Sequence, residues 1–514
     1  MEKLHKIYGA LLKNSTKALA AVFAIFLMIA SFCFTSLMDM DETTYYNIDL
    51  WYVNIMVLVL FCSILVCITK KNFAIPGYIK HKRKIWYFAL IIYGVGLLAF
   101  VFYTRLDPRA DQGSVMRIAL RMTKGDYSEF EPGGYAYRHT HQVGLIYLSY
   151  LLFKITHIGY HAIRIMNVLS IVFTVIGINE IGNLLFQKSK SEKKYIYGYV
   201  TMLFLPAAGY VTFLYGNCIG FALSVLGIMF ACKYMNDHRM RYIIPMILCF
   251  ALSVCIRKNF IINVVAVIIF LLYDFFKCHE KQVIFCMVGI VVGIFLVMFG
   301  VKARVEYITG ESLDNGVPSL AYVVMGMQES EMASGWCNNY NQQVYFDNDC
   351  DPDKTAEVVK ADFKNELDKK AANPADAIAF YYRKNISQWN NPTFECFWIN
   401  DIKKRAKEEI EVKSYPSVIE SLLGEPGPKW LVEYMNLFQS IVWFGIVLWI
   451  FQKRKDEEIN QWMLATIFVG GFVFHTIWEA KCQYTIPFFM LLFPYAVQGY
   501  SSFSKMIANK MGKK

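Results

Sequence analysis

Two carboxylates stand close together in Leu106-Asp107-Pro108-Arg109-Ala110-Asp111-Gln112, directly after an apolar stretch. In the residues that follow, Val115, Ile118, Ala119 and Met122 share one helical face, while Arg117, Arg121 and Lys124 lie on others. That pattern predicts a helix from Gly113 to Lys124 lying in a membrane interface, with its cations near lipid phosphates. A carboxylate beside an anionic head group can serve as a general base on a hydroxyl. In an ordinary loop Asp107 and Asp111 would instead be solvated acids balancing Arg105 and Arg109.

Three other short stretches could carry chemistry. Tyr135-Ala136-Tyr137-Arg138-His139-Thr140-His141-Gln142 places two histidines one residue apart, but the spacing supplies no third ligand, so no metal is expected. Arg257-Lys258 falls between two apolar helices, and paired cations at the edge of hydrocarbon are costly without an anion nearby. Trp478-Glu479-Ala480-Lys481-Cys482-Gln483-Tyr484 is a similar polar knot at the end of a late apolar run. The bland reading of both cationic stretches is that they snorkel to lipid phosphates.

The elements that position these residues are membrane helices. Hydrophobic residues make up 56% of the 514, and charged residues only 18%. A water-soluble domain of this size does not carry such a composition, and many segments reach the roughly 20 apolar residues that a spanning helix needs. The net charge of +11 sits beside apolar runs rather than in a basic domain, which reports membrane orientation and argues against nucleic acid as a partner. The thirteen cysteines lie mostly inside apolar runs, and Cys337, Cys350 and Cys396 in the late polar segment define no disulfide framework.

Lysine and arginine in short loops orient the spans. Two helices, about 18–38 and 52–69, form an N-terminal unit (1–84), with the basic stretch from Lys70 to Lys84 returning to the cytoplasm. A helix at about 85–103 then leads to an outer loop (104–163). The short apolar piece Val143–Ile155 is expected to lie on the outer surface, because letting it span would put Lys188 to Lys194 outside. Further helices are expected at about 164–186, 195–214, 217–234, 242–256, 260–276 and 283–301. An external helical segment (302–429) follows, then three C-terminal helices at about 430–451, 462–478 and 484–499 within 430–514. The expectation is therefore an all-α polytopic membrane protein of about twelve transmembrane helices, with both termini cytoplasmic. No internal repeat of the secondary-transporter kind is visible.

The order of features from about 85 to 301 resembles the GT-C class of membrane glycosyltransferases, such as the protein O-mannosyltransferases and the aminoarabinose and related lipid-sugar transferases. The likeness rests on the outward helix, the short outer loop with Asp111-Gln112, the Ala119-to-Gly125 step, the aromatic-His segment and the non-spanning helix. It implies that Asp111, with Asp107 in reserve, is the catalytic base, and that Arg257 and Lys258 face the donor phosphate. Lys481 is a further phosphate ligand if it faces the same group. His139, His141, Gln142, Glu479 and Tyr484 are candidate substrate-binding residues; His141-Gln142 stands where the class often has His-Pro. The two extra N-terminal helices depart from the class.

The expected activity is transfer of a sugar from a polyprenyl-phosphate donor to a hydroxyl of an envelope glycan, lipid or protein on the outer face, without cofactor or nucleotide sugar. The alternatives are a transporter or flippase of lipid-linked sugar, and a glycan polymerase or ligase acting on longer lipid-linked chains.

Overall fold

The computed structural model describes residues 2–39, 41–71, 76–104, 106–186, 195–402, 415, 417–423, 427–454 and 457–512. The Lys188–Lys194 loop that oriented the central helices, and the terminal Lys513 and Lys514, lie outside them.

Among the described residues the architecture is all-α apart from one hairpin. In chain order the helices that matter are α1 (Glu2–Cys33), α2 (Trp51–Lys70), α3 (Pro76–Thr104), α4 (Ala110–Met122), α5 (Val143–Thr156), α6 (Tyr160–Phe186), α7 (Asn217–Asp237), α8 (Ile243–Ile256), α9 (Ile261–Cys278), α10 (Lys281–Thr309), α11 (Pro352–Ala372), α12 (Pro374–Trp389), α13 (Lys429–Phe451), α14 (Met463–Ile477), α15 (Cys482–Met490) and α16 (Phe493–Gly512). Among the described residues eight helices are long and apolar enough to cross a membrane: α1, α2, α3, α6, α7, α9, α10 and α13. Their outer surfaces fit a lipid solvent. Phe88, Ile91 and Val95 of α3, and Phe285, Phe295 and Phe299 of α10, are all exposed, which water would penalise and hydrocarbon would not.

The other four of the twelve expected runs form shorter or interrupted helices among the described residues. The 195–214 run is broken into Ile196–Met202, Leu205–Gly209 and a 3₁₀ turn at Tyr210–Thr212, with Pro206 opening the second piece. Apolarity alone did not reveal the break. The 242–256 and 462–478 runs form the 14-residue α8 and the 15-residue α14, and the 484–499 run splits into α15 and α16 around Leu491 and Leu492. The first apolar run ends early as helix: Phe34–Met38 turns into a strand (β1) that pairs antiparallel with Thr44–Ile48 (β2). β-Branched and aromatic residues favour that choice.

Packing divides the bundle into two groups. α6, α7, α8 and α10 pack on one another, α1, α2, α13 and α16 form the second group, and α9 and α14 join them. The short α5 rests against α4, α8 and α10. Its tight seat depends on Gly144, where a Cβ would fall 1.9 Å from the Cys255 carbonyl oxygen. Any side chain there would push α5 away from the end of α8.

Within 302–429 the described residues include α11 and α12, and part of the segment packs deep into the protein. Every residue from Lys384 to Ile402 is buried, although the stretch is rich in Asn, Gln, Thr and acids. Non-helical backbone survives inside a membrane bundle only when its polar groups find partners in protein. Here Gln439 donates to the Trp389 carbonyl (2.9 Å), Thr485 to that of Gln388 (2.8 Å), and Tyr210 to that of Phe394 (2.7 Å). The Asn390 amide donates to Phe34 of β1 (2.7 Å). The hairpin and the late segment thus plug the same end of the bundle.

Candidate functional site

Asp111 lies in the first turn of α4, where the helix dipole favours a carboxylate. α4 is held by its neighbours on both sides of that turn. Gln112 Oε1 accepts the Leu214 N–H (2.9 Å), and the Arg109 guanidinium lies 4.3 Å from the Trp398 ring centroid and donates to the Trp398 carbonyl (3.1 Å). The Asp111 carboxylate remains exposed. Its one hydrogen bond among the described residues comes from the Tyr215 hydroxyl, at 3.3 Å.

Tyr215 is the hinge of the arrangement. It sits in the loop before α7, which Gly216 opens at a φ of 80°, a left-handed conformation suited to glycine. The Tyr215 hydroxyl accepts from Gln142 Nε2 (2.7 Å) while donating to Asp111. The Arg257 guanidinium packs over the Tyr215 ring, 4.7 Å from its centroid, with the Tyr484 ring 5.8 Å away on another side. Arg257 is buried, Lys258 beside it is exposed, and among the described residues neither Arg257 nor Asp111 has an ion-pair partner. A buried guanidinium held by aromatic faces retains its capacity to bind an anion.

The histidines complete one wall. His139 Nδ1 lies 3.1 Å from the Tyr322 hydroxyl, and the His141 ring meets the Tyr322 ring edge-on at 5.7 Å. Tyr322 in turn stacks on Trp478. Burial pulls His139 down to about 4, with Arg138 adding to the effect and Asp111 opposing it. Desolvation likewise lowers His141 well below the usual histidine range, helped by His139, Lys258 and Arg257. Both rings are therefore neutral near pH 7 and offer hydrogen bonds, not charge.

Across the cluster a second group of charges is paired internally. Lys481 Nζ lies 2.8 Å from the Glu42 carboxylate on the hairpin turn, and both side chains are largely buried. Burial works against the Lys481 ammonium, but Glu42, Glu395 and Glu479 outweigh it and hold its pKa high. Burial pushes Glu395 up to about 7 against the pull of Lys481, and Glu479 likewise to about 7. Glu395 sits at a left-handed position and accepts from the backbone N–H groups of Cys482 (2.8 Å) and Gln483 (3.3 Å), at the start of α15. Glu479 accepts from the Tyr484 hydroxyl at 3.4 Å. The buried Lys384 ammonium donates to the carbonyls of Gly326 and Trp478, the latter at 2.7 Å, and so caps the end of α14. Burial lowers its pKa to about 7, with Glu479 raising it.

The structure thus gathers Asp111, His139, His141, Gln142, Arg257, Glu479 and Tyr484 at one end of the bundle. The Asp111 charge is felt at Tyr135, His139, Tyr215, Tyr322, Glu479 and Tyr484. Two residues stand apart in their bonding. Asp107 lies 3.8 Å from the buried Arg164 guanidinium, which also donates to the Leu106 carbonyl, so it braces the junction of α3 and α6. Lys481 spends its charge on carboxylates of the protein. Sequence reasoning missed Tyr215, Tyr322, Trp398, Glu42, Glu395 and Lys384. The only sequence signal for Glu395 was the polar, proline-containing run Asn390-Asn391-Pro392-Thr393 set among aromatics. No protein-family model matches the chain, and the curated proteins give no match.

Proposed function

We propose that the chain is a membrane glycosyltransferase that moves a sugar from a polyprenyl-phosphate donor to a hydroxyl of an envelope glycan, lipid or protein on the extracytoplasmic face, using Asp111 as general base. The observation that carries this reading is the Asp111–Tyr215–Arg257 arrangement. An exposed carboxylate and a buried cation, neither ion-paired among the described residues, face one tyrosine from two sides.

The chemistry follows from that placement. Asp111 takes the proton of the acceptor hydroxyl as its oxygen attacks the anomeric carbon, and the bond to the donor phosphate breaks. Arg257, with Lys258 at the bundle surface, stabilises the charge that gathers on the departing phosphate. The neutral His139 and His141, with Gln142, Glu479 and Tyr484, supply hydrogen bonds for sugar hydroxyls, and Tyr322 and Trp478 offer apolar faces. Lys481 acts through the carboxylates it organises. No metal or cofactor enters these steps. The two alternatives differ in what they require. A flippase breaks no glycosidic bond and needs no base, and a polymerase or ligase requires a long lipid-linked chain.

The test is sugar transfer by the purified protein in lipid bilayers, with short and long lipid-linked donors, and lipid flipping measured alongside. Transfer from short donors that disappears in Asp111→Asn while donor binding persists supports the proposal. Flipping without transfer, or transfer from long donors alone, replaces it with the corresponding alternative.

A further inference from the structure

α7 begins beside Tyr215 and α9 beside Arg257, so both lead away from the Asp111 cluster to the other end of the bundle, about 30 Å along α7 at 1.5 Å per residue. There they bring His238, Cys278 and Glu280 together. His238 is the residue after α7, Cys278 ends α9, and Glu280 precedes α10. One imidazole nitrogen, the Cys278 sulfur and a Glu280 oxygen all lie within 4.8 Å of one another.

The two ring nitrogens of His238 face different groups. Nδ1 lies 3.3 Å from Glu280 Oε2, yet this buried nitrogen makes no hydrogen bond. Nε2 lies 3.6 Å from Asp274 Oδ2. Asp274 is only 2% exposed, and its Oδ2 is likewise without a hydrogen bond. Two donors about 2.0–2.3 Å from one tetrahedral ion lie roughly 3.3–3.7 Å apart, so the His238–Glu280 separation suits a shared ion. A carboxylate behind the far nitrogen of a ligating histidine is the usual means of fixing its tautomer.

We propose that His238 Nδ1, Cys278 and Glu280 bind a divalent transition-metal ion of the zinc type, with Asp274 orienting His238 through Nε2–H. The thiolate and imidazole select such an ion over magnesium or calcium, which take oxygen ligands. Binding converts the Cys278 thiol to thiolate, with its proton released to solvent, and leaves one position for water. The ion ties the end of α7 to the turn between α9 and α10. No short motif announces the site, because its ligands come from two separate helix ends.

The experiment uses the full chain in detergent, treated with chelator and titrated with Co²⁺, then with competing Zn²⁺. One Co²⁺ per chain is expected, with the sulfur-to-metal absorption and intense d–d bands of a tetrahedral thiolate site, displaced by Zn²⁺. Cys278→Ser should remove the sulfur band, and Asp274→Asn should weaken binding about 10- to 100-fold. Glu280 is exposed, so Glu280→Gln should fold and still bind more weakly. Absence of tight binding by the folded wild type, a sulfur band that survives Cys278→Ser, or unchanged affinity in Glu280→Gln would overturn the proposal.

Discussion

Asp111 and Arg257 meet a hydroxyl and aromatic faces, whereas Lys481, at the same end of the bundle, meets carboxylates. The first pair keeps its charges available: one is exposed and the other is buried without a counter-ion among the described residues. The second group consumes its charge internally, with Glu42, Glu395 and Glu479 surrounding one ammonium. Equal density of charge therefore serves opposite ends. Charges left uncompensated at the edge of hydrocarbon are expensive and await a ligand, while charges paired in a dry interior chiefly fix one arrangement of the chain. Trp398 touches both groups, through Arg109 on one side and Lys481 on the other, so the paired group steadies the helix that carries Asp111.

This contrast is sharpest under substitution. Asp111→Asn keeps the shape of the side chain but cannot take a proton, so transfer should fall about 100- to 10,000-fold while folding and donor binding persist. Steady-state transfer together with a donor-binding measurement checks this; undiminished transfer would remove Asp111 from the mechanism. Lys481→Ala should act on the other property. It leaves buried carboxylates uncompensated and should cost about 3–5 kcal/mol of stability, read as a lowered unfolding midpoint in detergent. A Lys481→Ala protein as stable as wild type, but with weakened donor use, would erase the distinction between the two groups.

Arg257→Ala should slow transfer by about 30- to 1000-fold, roughly 2–4 kcal/mol in the transition state, with more effect on donor than on acceptor kinetics. Equal effects on both would show that Arg257 packs Tyr215 and Tyr484 instead of holding phosphate. A pH series probes the paired group from another side. Glu395 and Glu479 are raised from 4.5 to about 7 in the folded protein, so between those values the folded state binds more protons than the unfolded one. Their contribution to stability is full below about 4.5 and is lost as pH rises through about 7. Thermal unfolding from pH 4.5 to 8 should show this decline, and Glu395→Gln should flatten it; an unchanged profile would mean that Lys481 keeps Glu395 ionised throughout. The smallest effect is expected of Asp107→Asn, whose partly exposed pairing with Arg164 should alter transfer by no more than about fivefold. A loss as large as that of Asp111→Asn would move the base to Asp107.

Local pattern carried much of this. Apolar length marked the long helices, because hydrocarbon requires each backbone to satisfy itself within its own segment. The same logic singled out Arg257, Glu479 and Asp111, whose charges stand out beside apolar runs. It failed where polar backbone is satisfied by distant partners. The run from Lys384 to Ile402 is hydrophilic and gives no sign of burial along the chain, yet it is buried, with Gln439, Thr485, Tyr210 and β1 bonded to it. Tyr215 was equally silent, being one of 33 tyrosines.

By itself, then, the sequence determined that this is a helical membrane protein and which charges lie at the ends of its helices, since both follow from composition and short-range periodicity. Only the tertiary structure decided which of those charges are compensated. Lys481 and Arg257 are each a cation beside an apolar helix, and their difference lies in Glu42, Glu395 and Tyr215, brought to them from other parts of the chain. Pairing in a low-dielectric interior depends on separations of a few ångströms, which no pattern along the chain encodes.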